Sequence, residues 1–414
     1  MSNYSQLVAS AKANRRKRVF SDEFLLFEQL NRERNDLSLW ASELDVVNKH
    51  ITIDQDTIDG AIESYQELAE HLVEKLHWSP DDIKVFPQGS SSTQTLINTP
   101  GRDNFDIDAV CQVDISRVDA NDPMAFYQKI GDALDKYDPD AKRRCWTINF
   151  SGRKYYIEFT PSVPLSTVPR TVVESFKLQA SAKDYEDTAL AVVDTPSESW
   201  KTSNPEGFTN WVSAQTEKSL LRLSFSDSRN YSLNSSISPV PEQSISLSDT
   251  LRVAIRLFKR HRDMAVRRGF IVKEAKPISV IIVTLLTQCY EGLSDLGATY
   301  DEPIFLLMEL AELLPGMIEI RDGEYWVANP TVEGENFAEK WNDDHGQRKQ
   351  SFDNWCSLLV IDLQRIMKEQ DESAIRKRMR EVFGYSAAST PPPRGLAPQK
   401  PTIVPQPPAK TGLA

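Results

Sequence analysis

Two aspartates separated by a single residue, Asp106 and Asp108, stand in the run Phe105-Asp106-Ile107-Asp108-Ala109-Val110. On a strand, residues two apart leave the same face, so this pair presents two carboxylates side by side between apolar anchors. Close carboxylates repel and raise each other's pKa, and a divalent cation relieves the repulsion. Paired acids suit Mg²⁺, which takes carboxylates together with substrate phosphates. A third acid on a neighbouring strand would complete a two-metal site. Glu158 is the candidate, in Tyr155-Tyr156-Ile157-Glu158-Phe159, where Tyr156 and Glu158 share one face and Ile157 and Phe159 the other. Alone, Glu158 reads as an acid on a solvated sheet; beside the Asp pair it reads as a metal ligand. Gly89-Ser90 opens a polar stretch upstream, Gln88 to Thr95. A glycine there lets backbone N–H groups approach phosphate oxygens, and the serine hydroxyl adds a donor. Such pairs are common in loops, so its weight comes from its place ahead of the acids.

These residues need a sheet to carry them. The sequence predicts a helix over 54–76, where Ile58, Ile62, Tyr65, Leu68, Leu72 and Leu76 recur at three- and four-residue steps. Strands are expected over 83–86, 105–113, 145–150 and 155–159, with Ser151-Gly152-Arg153 as a tight hairpin and Pro161 and Pro164 ending the last strand. A helix over 125–134 lies between them. Beyond about residue 200 the pattern turns helical, over 207–222, 251–267, 277–290, 304–314 and 352–383, with a Ser- and Asn-rich loop over 224–248. The expected organisation is an N-terminal helical segment (1–54), a palm domain (55–200), a helical lobe (201–385) and a Pro-rich tail (386–414) too poor in core formers to fold.

The chain of 414 residues carries a net charge of −12, which argues against a broad duplex-DNA surface, since phosphate contacts need clustered Lys and Arg. No apolar run approaches the roughly 20 residues of a membrane span. No secretory signal pattern opens the chain. Four cysteines, none at metal-ligand spacing, give no zinc site and point to a reduced, cytoplasmic protein.

The ordered series Gln88-Gly89-Ser90 to Thr95, Phe105-Asp106-Ile107-Asp108, Ser203-Asn204-Pro205-Glu206-Gly207-Phe208, Leu257-Phe258-Lys259-Arg260-His261-Arg262-Asp263 and Lys276-Pro277-Ile278-Ser279 resembles the bacterial cGAS/DncV-like nucleotidyltransferases (CD-NTases) of antiphage (CBASS) signalling. Asn329-Pro330 to Trp341 is similar to the same family, within the polymerase-β superfamily, and the match covers most of 55–345. The resemblance implies an α+β fold: a polymerase-β-like palm, a mixed sheet with flanking helices, joined to a helical lobe as in oligoadenylate synthase, with the active site in the cleft between them. It implies joining of nucleoside triphosphates, ATP among them, into a cyclic di- or trinucleotide that activates an effector, with release of pyrophosphate. Asp106 and Asp108 would hold two Mg²⁺ ions, with Mn²⁺ as substitute, and Glu158 the ion beside the attacking hydroxyl. Gln88, Gly89 and Ser90 would cradle the triphosphate, and Lys259 and Ser279 would reach its far end. Glu158 replaces the family's usual aspartate, a methylene that a small strand shift absorbs.

Without the resemblance, Lys259 to Arg262 reads as a solvated basic stripe, His261 as structural, and Trp200 and Trp211 as core. The short basic run from Arg15 to Arg18 reads as a helix end. In some operons of the family a ubiquitin-transfer-like enzyme acts on the synthase C-terminus, which makes Ala414 an expected conjugation point beside the alternative of an inert tail. Rival functions are a linear oligonucleotide synthase, an enzyme that modifies RNA or protein, and a non-catalytic nucleotide sensor, for which the intact Asp pair would be unexpected.

Overall fold

The computed structural model describes residues 3–16, 37–101, 104–221, 239–369 and 371–384. The tail with Ala414, Lys17 and Arg18 of the basic run, and most of the 224–248 loop lie outside the described residues.

Two short-range facts set the palm. Helix α3 (Gln55–Leu76; α1 is Asn3–Arg16 and α2 Leu37–His50) starts where Asp54 accepts from Thr57 N, and ends where His77 turns left-handed. Its buried stripe of Ile58, Ala61, Tyr65, Leu68 and Leu72 lies against one face of a seven-stranded sheet. The strands are β1 (Ile83–Pro87), β2 (Phe105–Val113), β3 (Asp140–Ala141), β4 (Trp146–Asn149), β5 (Tyr155–Pro164), β6 (Leu190–Asp194) and β7 (Ser199–Ser203). The order β1-β2-β5-β4-β3 has β2 and β5 parallel and its other pairs antiparallel, with β6 joining β5 and β7 joining β6.

The alternation of β2 divides its residues cleanly. Ile107, Ala109, Cys111 and Val113 enter the core shared with α3 and with α5 (Pro123–Ala133; α4 is Gly89–Ser92). The opposite face carries Asp106, Asp108 and Val110, and Val110 meets Phe86, Leu190 and Val192 in a small second cluster. Pro161 does not end β5, as the sequence had suggested. The strand pairs β4 up to Phe159 and β6 from Ser162, so Pro161 falls between partners where a missing N–H costs no ladder bond. Strands β6 and β7 were not foreseen.

The helical lobe comprises α7 (Pro205–Thr216; α6 is Arg170–Ser175), α8 (Thr250–Arg267), α9 (Ser279–Asp295), α10 (Pro303–Leu313), α12 (Gln347–Lys368; α11 is Glu339–Asp343) and α13 (Glu372–Phe383), with a hairpin of β8 (Glu319–Arg321) and β9 (Glu324–Trp326). The single helix expected over 352–383 is two, and the helix expected over 207–222 stops at Thr216. Val8 of α1 and Leu44 and Val47 of α2 are buried in this lobe's core, so the N-terminal segment packs with the lobe.

Helix α8 is buried on all sides from Thr250 to Ala265, and Arg256, Lys259, Arg260 and Arg262 are each at most 5% exposed. The expected solvated stripe is instead a set of donors aimed at carbonyl oxygens. Arg252 Nε reaches Thr93 O (2.9 Å), Lys259 Nζ Thr95 O (2.7 Å) and Arg260 Nη1 Asn98 O (2.8 Å), all on one palm loop. Arg256 donates to Gln243 O at 3.1 Å and to Thr52 Oγ1 at 2.5 Å. His261 is structural, as expected: buried, it bonds Asp362 at 3.1 Å and accepts from Trp355 Nε1 at 3.0 Å. Removing a buried donor strands its acceptors. Arg256→Ala should therefore lower unfolding stability by about 3 kcal/mol, read from urea denaturation.

Candidate active site

Backbone register brings the acids together. In the parallel β2–β5 pair, Asp108 stands opposite Glu158 and Asp106 opposite Tyr156, so all four leave one face. Burial pushes the Asp108 carboxyl up to about 8, and the charges of Asp106 and Glu158 add to it. Glu158 is raised in the same direction, by burial first and then by Asp106, while the Cys145 thiol donates to Glu158 Oε2 at 3.8 Å. Three mutually repelling oxygen donors on one sheet face form a set for a hard divalent cation. Among the described residues no three His, Cys, Asp or Glu side chains are closed into a chelate as they stand. The residues fit the cation by donor type, shared face and mutual charge.

The Gly-Ser turn is locked against this pair. Gln88 N donates to Asp108 O (3.0 Å), and Tyr65 Oη donates to the same oxygen (3.1 Å) from the core side. Gln88 Nε2 reaches Thr160 Oγ1 at 3.1 Å, and Ser91 Oγ returns to Gln88 O at 2.8 Å. Gly89 has φ +64°, and a Cβ there would lie 2.5 Å from Asp108 Oδ2. Glycine is thus required twice, for backbone conformation and for the space beside the carboxylate. Ser90 is half-buried in the first turn of α4, with Ser90 O accepting from Thr95 N at 2.9 Å.

The two lobe residues lie differently. Lys259 faces the palm, and its field acts on both Asp106 and Asp108, while burial lowers its pKa to about 7. Its ammonium is engaged by Thr95 O, so in this state it braces the loop after the Gly-Ser turn. Ser279, the first residue of α9, accepts from Arg262 Nη1 at 3.1 Å. Trp200 and Trp211 are both core: Trp200 is fully buried with Nε1 on Ala120 O (2.8 Å), and Trp211 is buried against Tyr4 and Phe208.

Residues that the sequence left unmarked also border the acids. Thr147 of β4 stands opposite Glu158, and Tyr65 and Cys145 touch the acidic strands. Single bonds to a backbone carbonyl or a carboxylate leave no spacing pattern. A cleft of about 1140 Å³ opens elsewhere, lined by Lys49, Asp54, Asn98, Phe105, Lys154 and Glu242. None of Asp106, Asp108 and Glu158 lines it.

Gly89→Ala would drive a methyl into Asp108 and strain a left-handed φ. Mn²⁺ binding should weaken about tenfold, about 1.4 kcal/mol, in calorimetric titration, with far-ultraviolet circular dichroism unchanged.

No family model matches the chain. A c-di-GMP synthase of Roseivirga ehrenbergii is 25% identical over 271 residues, 63% of this chain and 62% of its own length. In three dimensions the chain is similar to the CD-NTase CdnG of Bradyrhizobium diazoefficiens, solved with GTP, at TM-score 0.55 and 15% identity over 83% of this chain and 95% of that one. It is also similar to CdnC of E. coli MS115-1, solved with ATP, at TM-score 0.54 and 12% identity over 84% and 98%. The palm sheet with its Gly-Ser turn and acidic strand pair, set against a helical lobe, has the fold of these CD-NTase structures, and the sequence is similar to a c-di-GMP synthase over 62% of that protein's length.

Proposed function

We propose that the chain is a nucleotidyltransferase that joins nucleoside triphosphates into a cyclic di- or trinucleotide and releases pyrophosphate at each bond. The observation that carries this reading is the register placing Asp106, Asp108 and Glu158 on one face, with the Gly89 turn bonded to the back of Asp108. The names of the relatives favour GTP and ATP as substrates.

In each joining step a ribose hydroxyl oxygen bonds to the α-phosphorus of a second nucleotide. The bond from that phosphorus to the pyrophosphate oxygen breaks, and the hydroxyl proton leaves to solvent. Two Mg²⁺ ions held by Asp106 and Asp108, one also by Glu158, would acidify the hydroxyl and offset charge on the phosphates. The chain's own contribution is positional. Backbone N–H groups at the start of α4 and the Ser90 hydroxyl would hold phosphate oxygens, and the rigid β2–β5 pair fixes where the carboxylates stand. Ring closure repeats the chemistry intramolecularly. The product would act on an effector in antiphage defence, as the resemblance implies.

Purified protein given the four labelled triphosphates with Mg²⁺ or Mn²⁺ should yield a phosphatase-resistant product, absent from Asp106→Ala/Asp108→Ala. Phosphatase-sensitive oligomers from the same reaction would move the assignment to linear synthesis.

A further inference from the structure

The row of side chains that starts at Asp108 continues past Glu158. Glu158 stands opposite Asp108 on β2 and opposite Thr147 on β4, so three neighbouring strands set Asp108, Glu158 and Thr147 side by side. Thr147 leaves the acids' face, because its chain neighbours Trp146 and Ile148 both enter the palm core on the other. Thr147 is 8% exposed, and its hydroxyl is buried without a hydrogen-bond partner. The other buried hydroxyls of the sheet, among the described residues, are all engaged. Thr160 Oγ1 accepts from Gln88 Nε2 (3.1 Å), Ser162 Oγ donates to Cys111 O (3.2 Å) and Thr202 Oγ1 to Gln179 O (2.6 Å).

A hydroxyl buried without a partner is costly. Valine has the same branched shape, suits a strand as well and carries no such cost. The oxygen is closed to solvent, so its partner has to come from a side chain already beside it. Glu158 is that side chain. Directly opposed residues on adjacent strands have Cβ atoms about 5 Å apart, a gap that a glutamate carboxylate crosses by changing rotamer. Glu158 Oε2 takes a long contact from the Cys145 thiol, at 3.8 Å, and a thiol is a weak donor that a hydroxyl displaces.

Glutamate also has one more rotatable bond than aspartate, so more is needed to fix the direction of its carboxylate. Carboxylates that ligate a metal are themselves hydrogen-bonded by their neighbours, which sets that direction. We propose that Thr147 is a positioning residue for the third acid: its hydroxyl donates to one oxygen of Glu158 when the other turns to a divalent cation. A hydroxyl donating to an ionised carboxylate makes a short, strong bond. The proposal rests on the two-metal reading above and supplies the second anchor that the longer acid requires.

Thermal unfolding in EDTA and calorimetric titration with Mn²⁺ test it on the full chain, with Thr147→Val and Thr147→Ser beside the wild type. In EDTA, Thr147→Val should unfold at or above the wild-type temperature, since the substitution breaks no bond. Its Mn²⁺ affinity should fall about tenfold, the scale of one hydrogen bond to a charged group. Thr147→Ser keeps the hydroxyl and should bind Mn²⁺ as the wild type does. Wild-type Mn²⁺ affinity in Thr147→Val, or a lower unfolding temperature in EDTA, overturns the proposal. So does an equal loss when Thr147→Val is added to Glu158→Ala, because the hydroxyl would then act without Glu158. A wild type that binds no Mn²⁺ overturns the two-metal reading and the proposal with it.

Discussion

The arrangement depends on a helix that buries its charges. Helix α8 sends Arg252, Lys259 and Arg260 into the carbonyl oxygens of Thr93, Thr95 and Asn98, on the loop that runs on from the Gly-Ser turn. Burying an ammonium or guanidinium is costly unless hydrogen bonds replace its water. Here backbone oxygens supply much of that replacement, with Asp249 pairing Arg252 (2.6 Å) and Asp263 pairing Arg262 (2.8 Å). The strength of these bonds comes from charge, and their direction fixes the loop. A contact of purely apolar side chains would hold the lobes together without specifying where the loop's backbone must lie.

From that anchored loop the geometry propagates inward. Thr95 N and Thr93 N close the short helix α4 onto Ser90 O and Gly89 O. Gln88 N then docks on Asp108 O, and Tyr65 holds the same oxygen from behind. The parallel register with β5 brings Glu158 opposite. Each link is a backbone bond or a bond to backbone, which is why the carboxylates stay together despite their repulsion. The electrostatic strain expressed in the raised Asp108 and Glu158 is held by the sheet and not relieved by it.

The acidic face was legible because a strand's two-residue period makes Asp-x-Asp a statement about direction, and the apolar neighbours of Glu158 marked a second strand. Helix α3 was legible for the same kind of reason, a long stripe at helical spacing. The basic run on α8 was not. Periodicity distinguishes apolar from polar faces, but not a polar face in water from one packed on carbonyl oxygens. Strands β6 and β7 escaped because Leu190 to Asp194 is a short apolar run without alternation and Ser199 to Ser203 is mostly polar, so neither has the period that marks a half-buried strand. Helices α1 and α2 were foreseen as a separate segment, since nothing in a local pattern says which core a stripe will join.

Two adjacent residues carry a consequence for how the protein tolerates change. Leu96 belongs to the palm core and Ile97 to the core of the helical lobe. One peptide bond thus joins both interiors, inside the loop that α8 braces at Thr93, Thr95 and Asn98. Drift in the packing of either lobe reaches the phosphate-facing turn within a few residues, whereas an enzyme whose catalytic loop hung from one domain could absorb variation in the other. Sequence divergence among proteins built this way is therefore constrained in both lobes at once: substitutions must keep two interiors in step for one turn to hold its shape.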